Sequence, residues 1–155
     1  MMYYTHLAFG LLISLYSLNF FDVKYALLFT LIAVFFSILP DIDNSKSKIG
    51  RKNKVISKII GFVFGHRGIF HSIYIPLILI FIFYNNINSE IAIAIFLGYS
   101  SHLAADALTK QGIRPFYPLI NIKINGFFKT NSLFEKIFFL IIVFLDAVLL
   151  LRYYI

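Results

Sequence analysis

Apolar residues gather into five long runs, at about 6–21, 24–39, 70–86, 90–106 and 134–151, and the stretches between them hold most of the charge. None of the runs alternates with the period of two that marks a half-buried strand. Their lengths of about 16 to 18 residues lie at the low end of the roughly 17 to 25 that carry a helix across a bilayer. Only helices and closed barrels satisfy the backbone inside hydrocarbon. The pattern therefore predicts an all-α fold, a polytopic membrane bundle of about five transmembrane helices with its polar groups at or just inside the interface. A shorter stretch, "VISKIIGFVFG" at 55–65, predicts an interfacial or re-entrant helix whose lysines lie near anionic headgroups.

Composition agrees with that pattern. Of 155 residues, 60% are hydrophobic and 14% charged, against roughly 25% charged in an ordinary soluble domain. The length suits a single integral-membrane domain over residues 1–155. The opening "MMYYTHLAFGLLISLYSLNF" has no basic n-region and no small-residue cleavage site, so it is expected to be a retained helix that keeps His6. Cysteine is absent, which excludes disulfides, thiolate ligands and cysteine nucleophiles, and leaves nitrogen and oxygen to hold any metal.

The sign of the charge supplies an orientation. Lys46, Lys48, Arg51, Lys52, Lys54, Lys58 and Arg67 fill the second connection, and Lys110, Arg114, Lys123, Lys129 and Lys136 fill or border the fourth, leaving only Lys24 and Arg152 elsewhere. With five spans these two connections share a side, which the positive-inside rule makes cytoplasmic, together with the N-terminus. The histidines then fall on the same side without having been used to define it. His6 opens the first helix, Asp41 and Asp43 close the second, His66 and His71 precede or open the third, His102 and Asp106 close the fourth, and Glu135 opens the fifth.

Ionisable groups this close to hydrocarbon are expensive, and they pair, bind an ion or line a pathway. His102 and Asp106 stand four residues apart on one helical face, where two side chains reach one ion. Each element alone has an ordinary explanation: an interfacial hydrogen bond for the His-x-x-x-Asp pair, a helix stop for "LPDID", tight turns for "GHRGIFHS". Their joint occurrence on one side is better explained by a metal-type site. The candidate ligands are His6, Asp41, His66, His71, His102 and Asp106. Imidazole with carboxylate suits zinc, manganese or iron, with zinc preferred and manganese next. Asp146, about 16 Å further along its helix than Glu135, has no role in this cluster.

These motifs together resemble the YdjM-like family of inner-membrane proteins, described as metal-dependent hydrolases and linked in bacteria to the LexA-controlled damage response. The matching elements are Thr5–His6, "LPDID", "HRGIFHS", "GYSSHLAADALTKQGIRPFYP" and "KTNSLFE", in that order and over nearly the whole chain. Asn131 stands where a glycine is common, and asparagine tolerates the same left-handed backbone.

The resemblance implies hydrolysis at a bound divalent metal, which lowers the pKa of water and polarises a phosphoryl or carbonyl oxygen. Asp43 or Glu135 is then the candidate general base, the other orienting a ligand, while Arg67, Lys129 and Thr109 are candidates to hold an anionic leaving group. A site at headgroup depth among basic loops predicts membrane lipids and an anionic small-molecule or lipid-like phosphoester as partners. No nucleic-acid partner is expected, since topology already explains the lysines. An intramembrane metalloprotease would show His-Glu-x-x-His, which is absent. A metal or ion transporter would hold its ligands at mid-membrane depth, and a non-enzymatic scaffold would need no metal.

Overall fold

The computed structural model describes residues 1–64 and 68–154. Among these residues the regular secondary structure is helical and includes no strand; two isolated bridges, Thr109 with Phe128 and Ile113 with Ile124, brace the connection before the last helix. The elements are α1 (Tyr3–Ser17), α2 (Ala26–Phe36), a 3-10 turn (Leu39–Asp43), α3 (Lys48–Lys52), α4 (Lys54–Phe64), a second 3-10 turn (Ile69–His71), α5 (Tyr74–Asn86), α6 (Ser89–Ala107) and α7 (Leu133–Tyr154). Each of the five apolar runs forms a helix, and the predicted interfacial segment is α4.

Local chemistry sets the ends. The Ser14 and Ser17 hydroxyls donate back to the Leu11 and Ser14 carbonyls at 2.8 and 2.7 Å, and α1 stops at Ser17, short of the predicted 21. Pro40, which has no N–H to give, sits in the first turn of Leu39–Asp43 and converts the end of α2 into a tighter turn. Asn88 caps α6 by accepting from the N–H groups of Glu90 and Ile91, and Glu90 in the first turn complements the helix dipole.

These early stops shorten the helices. At 15, 11 and 13 residues, α1, α2 and α5 run about 16 to 23 Å, below the roughly 30 Å of hydrocarbon. The longer α6 and α7 carry His102, Asp106, Glu135, Lys136, Asp146 and Arg152, which dilute their apolar character. One stretch among the described residues, Ala26–Asp43, is long and apolar enough to cross a membrane, where five were expected.

At the centre of the bundle lies α6, packed on α5, α2 and α1, while α1 also packs on α2 and α7. Small residues make this possible. A Cβ added at Gly98 of α6 would collide with the Ala33 backbone of α2, and one at Gly10 of α1 would lie 2.5 Å from the Ser37 side chain. Side-chain-free contact of this kind is how helices approach closely where hydrocarbon gives no drive to separate apolar groups from solvent. Outward, Leu27, Leu31 and Phe35 of α2 and Ile78, Phe81 and Ile82 of α5 form exposed apolar stripes. Polar groups inside and apolar groups outside invert the usual soluble arrangement.

Candidate metal centre

The close-packed positions stand one helical turn from the polar ones. His6 precedes Gly10 by four residues on α1, His102 follows Gly98 by four on α6, and Asp41 follows Ser37 by four beyond the end of α2. Drawing the three backbones together at Gly10, Ser37, Ala33 and Gly98 therefore draws His6, Asp41 and His102 together as well. His71 arrives from the turn before α5, which Tyr99 of α6 holds by donating from its hydroxyl to the Phe70 carbonyl at 2.7 Å.

The outcome is a buried cluster. His71 Nε2 and His102 Nε2 are 3.3 Å apart, and Asp106 Oδ2 lies 3.8 Å from the first and 4.0 Å from the second. Asp41 Oδ1 is 4.0 Å from His102 Nε2, and His6 Nε2 is 3.4 Å from Asp106 Oδ1. The His6 ring stacks on that of His102 with centroids 3.9 Å apart. Two overlapping sets, His71–His102–Asp106 and His6–Asp41–His102, each present three donor atoms close enough for one ion. His6, His71, His102 and Asp106 are all but sealed from solvent, whereas the Asp41 side chain is 18% exposed and forms the open edge.

The groups beside the rings decide which ring nitrogens face inward. His102 Nδ1 is 2.8 Å from the Ser37 carbonyl, which can only accept, so Nδ1 carries the proton and Nε2 offers a lone pair. Asp43 Oδ2 lies 3.2 Å from His71 Nδ1, and a carboxylate there favours the proton on Nδ1 of the neutral ring, the same tautomer. Two Nε2 lone pairs then meet at 3.3 Å. Without a cation or proton between them that arrangement is repulsive; with tetrahedral zinc at 2.0–2.1 Å from each nitrogen, the expected separation is about 3.3–3.4 Å. The donor set therefore fits a metal of the zinc type. A positive charge is already drawn to the other face of Asp106, where the Met1 amino group lies 2.5 Å from Oδ1.

Of the residues singled out in the sequence, His6, Asp41, Asp43, His71, His102 and Asp106 come together here. His66 and Arg67 lie outside the described residues. Glu135 is held apart: its two oxygens accept from the Met2 and Asn131 backbone N–H groups, each at 2.6 Å, stapling the start of α7 to the start of α1. Asn131 has φ 63°, the left-handed backbone that this position demands. The Thr109 hydroxyl donates to the Asp106 carbonyl at 2.7 Å and closes α6, and Lys129 is exposed. Asp146 is buried in α7 away from the cluster. Sequence reasoning passed over the Ser37 carbonyl and the glycines that set the geometry, although the four-residue spacing of Gly10 from His6 and Gly98 from His102 was a readable signal.

A helical bundle with an apolar exterior and a buried His/Asp cluster defines a class of membrane protein with a candidate cation site. The chain belongs to the family of YdjM inner membrane proteins, whose pattern matches residues 1–154. It is 38% identical over 103 residues to "Uncharacterized protein YvsG" of Bacillus subtilis (strain 168), covering 65% of this chain and 64% of that one. It is 39% identical over 92 residues to "Inner membrane protein YdjM" of Escherichia coli (strain K12), and equally to that of Shigella flexneri, covering 56% of this chain and 47% of each relative. The matched regions thus span about half to two thirds of these relatives' length. No solved structure matches the chain.

Proposed function

We propose that this protein is a membrane-bound, metal-dependent hydrolase that cleaves a phosphoester in an anionic, lipid-like substrate at the cytoplasmic surface of the membrane. In this reading α1, α2, α5, α6 and α7 are five spans, with the shorter ones ending inside the interface, and the basic connections keep the N-terminus cytoplasmic. The observation that carries the proposal is the pair of Nε2 atoms 3.3 Å apart with Asp106 beside them.

His71, His102 and Asp106 would hold the ion, with His6 completing the set, and zinc is preferred to manganese. When bound, the ion would supply a more acidic water and polarise the phosphoryl oxygen. Asp41, the carboxylate at the open edge, would accept the proton from a water bound there, a task its partial exposure suits. Asp43 would hold the His71 ring by Nδ1 and leave Nε2 turned toward His102. Glu135 fastens α7 to the amino-terminal segment and so positions the cluster without touching substrate.

The test is hydrolysis of phosphatidic acid, phosphatidylglycerol phosphate and a chromogenic phosphodiester by purified protein supplied with zinc or manganese. Metal-dependent release of product that is lost in Asp106→Asn and in Asp41→Asn is expected. Turnover that survives both substitutions, or no turnover with any phosphoester by protein that has taken up its metal, would overturn the proposal.

A further inference from the structure

A cleft of about 540 Å³ opens between the Leu39–Asp43 turn and α4, lined among others by Asp43, Lys46, Ser57, Lys58 and Gln111. Asp43, the carboxylate set against His71, is among its lining residues, so the cleft borders the histidine cluster. Its mouth is basic, with Lys46 and Lys58 both exposed. The Ser57 side chain is 1% exposed, and its hydroxyl has no hydrogen-bond partner among the described residues. Buried hydroxyls are rarely left so, and this one lines a cavity with two ammonium groups nearby.

The other side of α4 points to where the ligand comes from. Val55, Ile56, Ile59 and Phe62 are exposed, Phe62 at 91%, and they recur at the three- and four-residue spacing of one helical face. Arg51, Lys52 and Lys54 stand immediately before that face. A short helix with an apolar face and flanking lysines lies in the plane of the lipid headgroups, and basic residues there attract anionic lipid. Lys48 is not available for this, because it donates to the Tyr4 hydroxyl at 2.7 Å and sits over the Tyr3 and Tyr4 rings.

We propose that this cleft binds the phosphate group of an anionic membrane lipid, with Lys46 and Lys58 supplying charge, Ser57 donating a hydrogen bond, and the apolar face of α4 resting among the acyl chains. The inference deepens the hydrolase reading, and it rests on that reading for the use made of the bound phosphate. Charge-assisted contacts of this kind are the strong ones in phosphate recognition.

The experiment is native mass spectrometry of delipidated full-length protein in detergent, titrated with phosphatidic acid, phosphatidylglycerol, phosphatidylcholine and soluble glycerol phosphate. The two anionic lipids are expected to bind more tightly than phosphatidylcholine. Lys46→Ser/Lys58→Ser is expected to weaken them about 10- to 100-fold and Ser57→Ala by less, while Lys123→Ser/Lys136→Ser, which removes the same charge elsewhere, leaves binding unchanged. Equal binding by the cleft variants, or equal loss in the control pair, would overturn the site. Glycerol phosphate binding as tightly as lipid would overturn the lipid assignment. Metal content measured on the same samples separates the two readings: lipid binding that depends on the lysines in protein that takes up no metal would leave this site standing and end the hydrolase proposal.

Discussion

Replacing Gly98 with alanine puts one methyl group where α6 meets α2. That methyl would overlap three backbone atoms of Ala33, its carbonyl oxygen among them, and backbone atoms cannot rotate aside as a side chain can. Restoring ordinary van der Waals contact requires the helices to part by about 1 Å or more. His102 sits one turn beyond Gly98 and is tied to Ser37, one turn beyond Ala33, by a contact of 2.8 Å. Parting the helices stretches that contact past the roughly 3.5 Å at which it ceases to be a hydrogen bond. Overpacking costs about 1–3 kcal/mol and the lost hydrogen bond about 1 kcal/mol, so Gly98→Ala should destabilise by about 2–4 kcal/mol. For a chain of this size the expected fall in Tm is roughly 5–15 °C. Thermal unfolding in detergent, followed by circular dichroism, reads it, with Ala104→Ser on the exposed side of α6 as control. Ala33→Gly should not rescue the variant, because the collision is with backbone. A Gly98→Ala protein that melts within about 1 °C of the parent would refute the close-approach argument.

Other expected outcomes follow from the same geometry. Asp43→Asn removes the carboxylate beside His71 Nδ1 but no ligand, so zinc affinity measured by competition with a chromogenic chelator should fall about 10- to 100-fold, with little change in Tm. Glu135→Gln places an NH₂ group against a backbone N–H, so it should cost about 1–3 kcal/mol in thermal unfolding while the purified protein keeps its metal. At Asn131, where φ is 63°, glycine should be neutral within about 0.5 kcal/mol, whereas valine should cost about 1–2 kcal/mol in the same melts. Bound metal should be released as pH falls, because imidazole must be neutral to ligate and protons compete for the same lone pairs; dialysis at stepped pH followed by elemental analysis checks the direction.

Much of this arrangement could be read from the sequence. The apolar runs gave the helices, since long runs without period-two alternation have few other ways to satisfy their backbone. Lysine and arginine placement gave a common side for His6, Asp41, His71, His102 and Asp106, and the structure gathers those residues within one cluster. Helix length was less legible: it depended on the Ser14 and Ser17 hydroxyls and on Pro40, which end helices through local hydrogen bonding that hydropathy does not register. Roles within the cluster were less legible still. Glu135 and Asp43 are both carboxylates at helix ends, and only tertiary contacts separate them: Glu135 meets two backbone N–H groups, one of them 133 residues away in sequence, and Asp43 meets an imidazole. The Ser37 carbonyl that fixes the His102 tautomer is a backbone group, which no residue type announces.

The most direct test of the central claim is the metal content of detergent-purified protein by elemental mass spectrometry, parent beside His102→Ala/Asp106→Ala. The expected result is near-stoichiometric zinc or manganese in the parent and background levels in the variant. No metal in the parent even after incubation with zinc and manganese, or the same metal content in both proteins, would contradict the assignment of His102 and Asp106 as ligands. The first of these results would leave a scaffold whose buried polar cluster is held by hydrogen bonds and ion pairs alone.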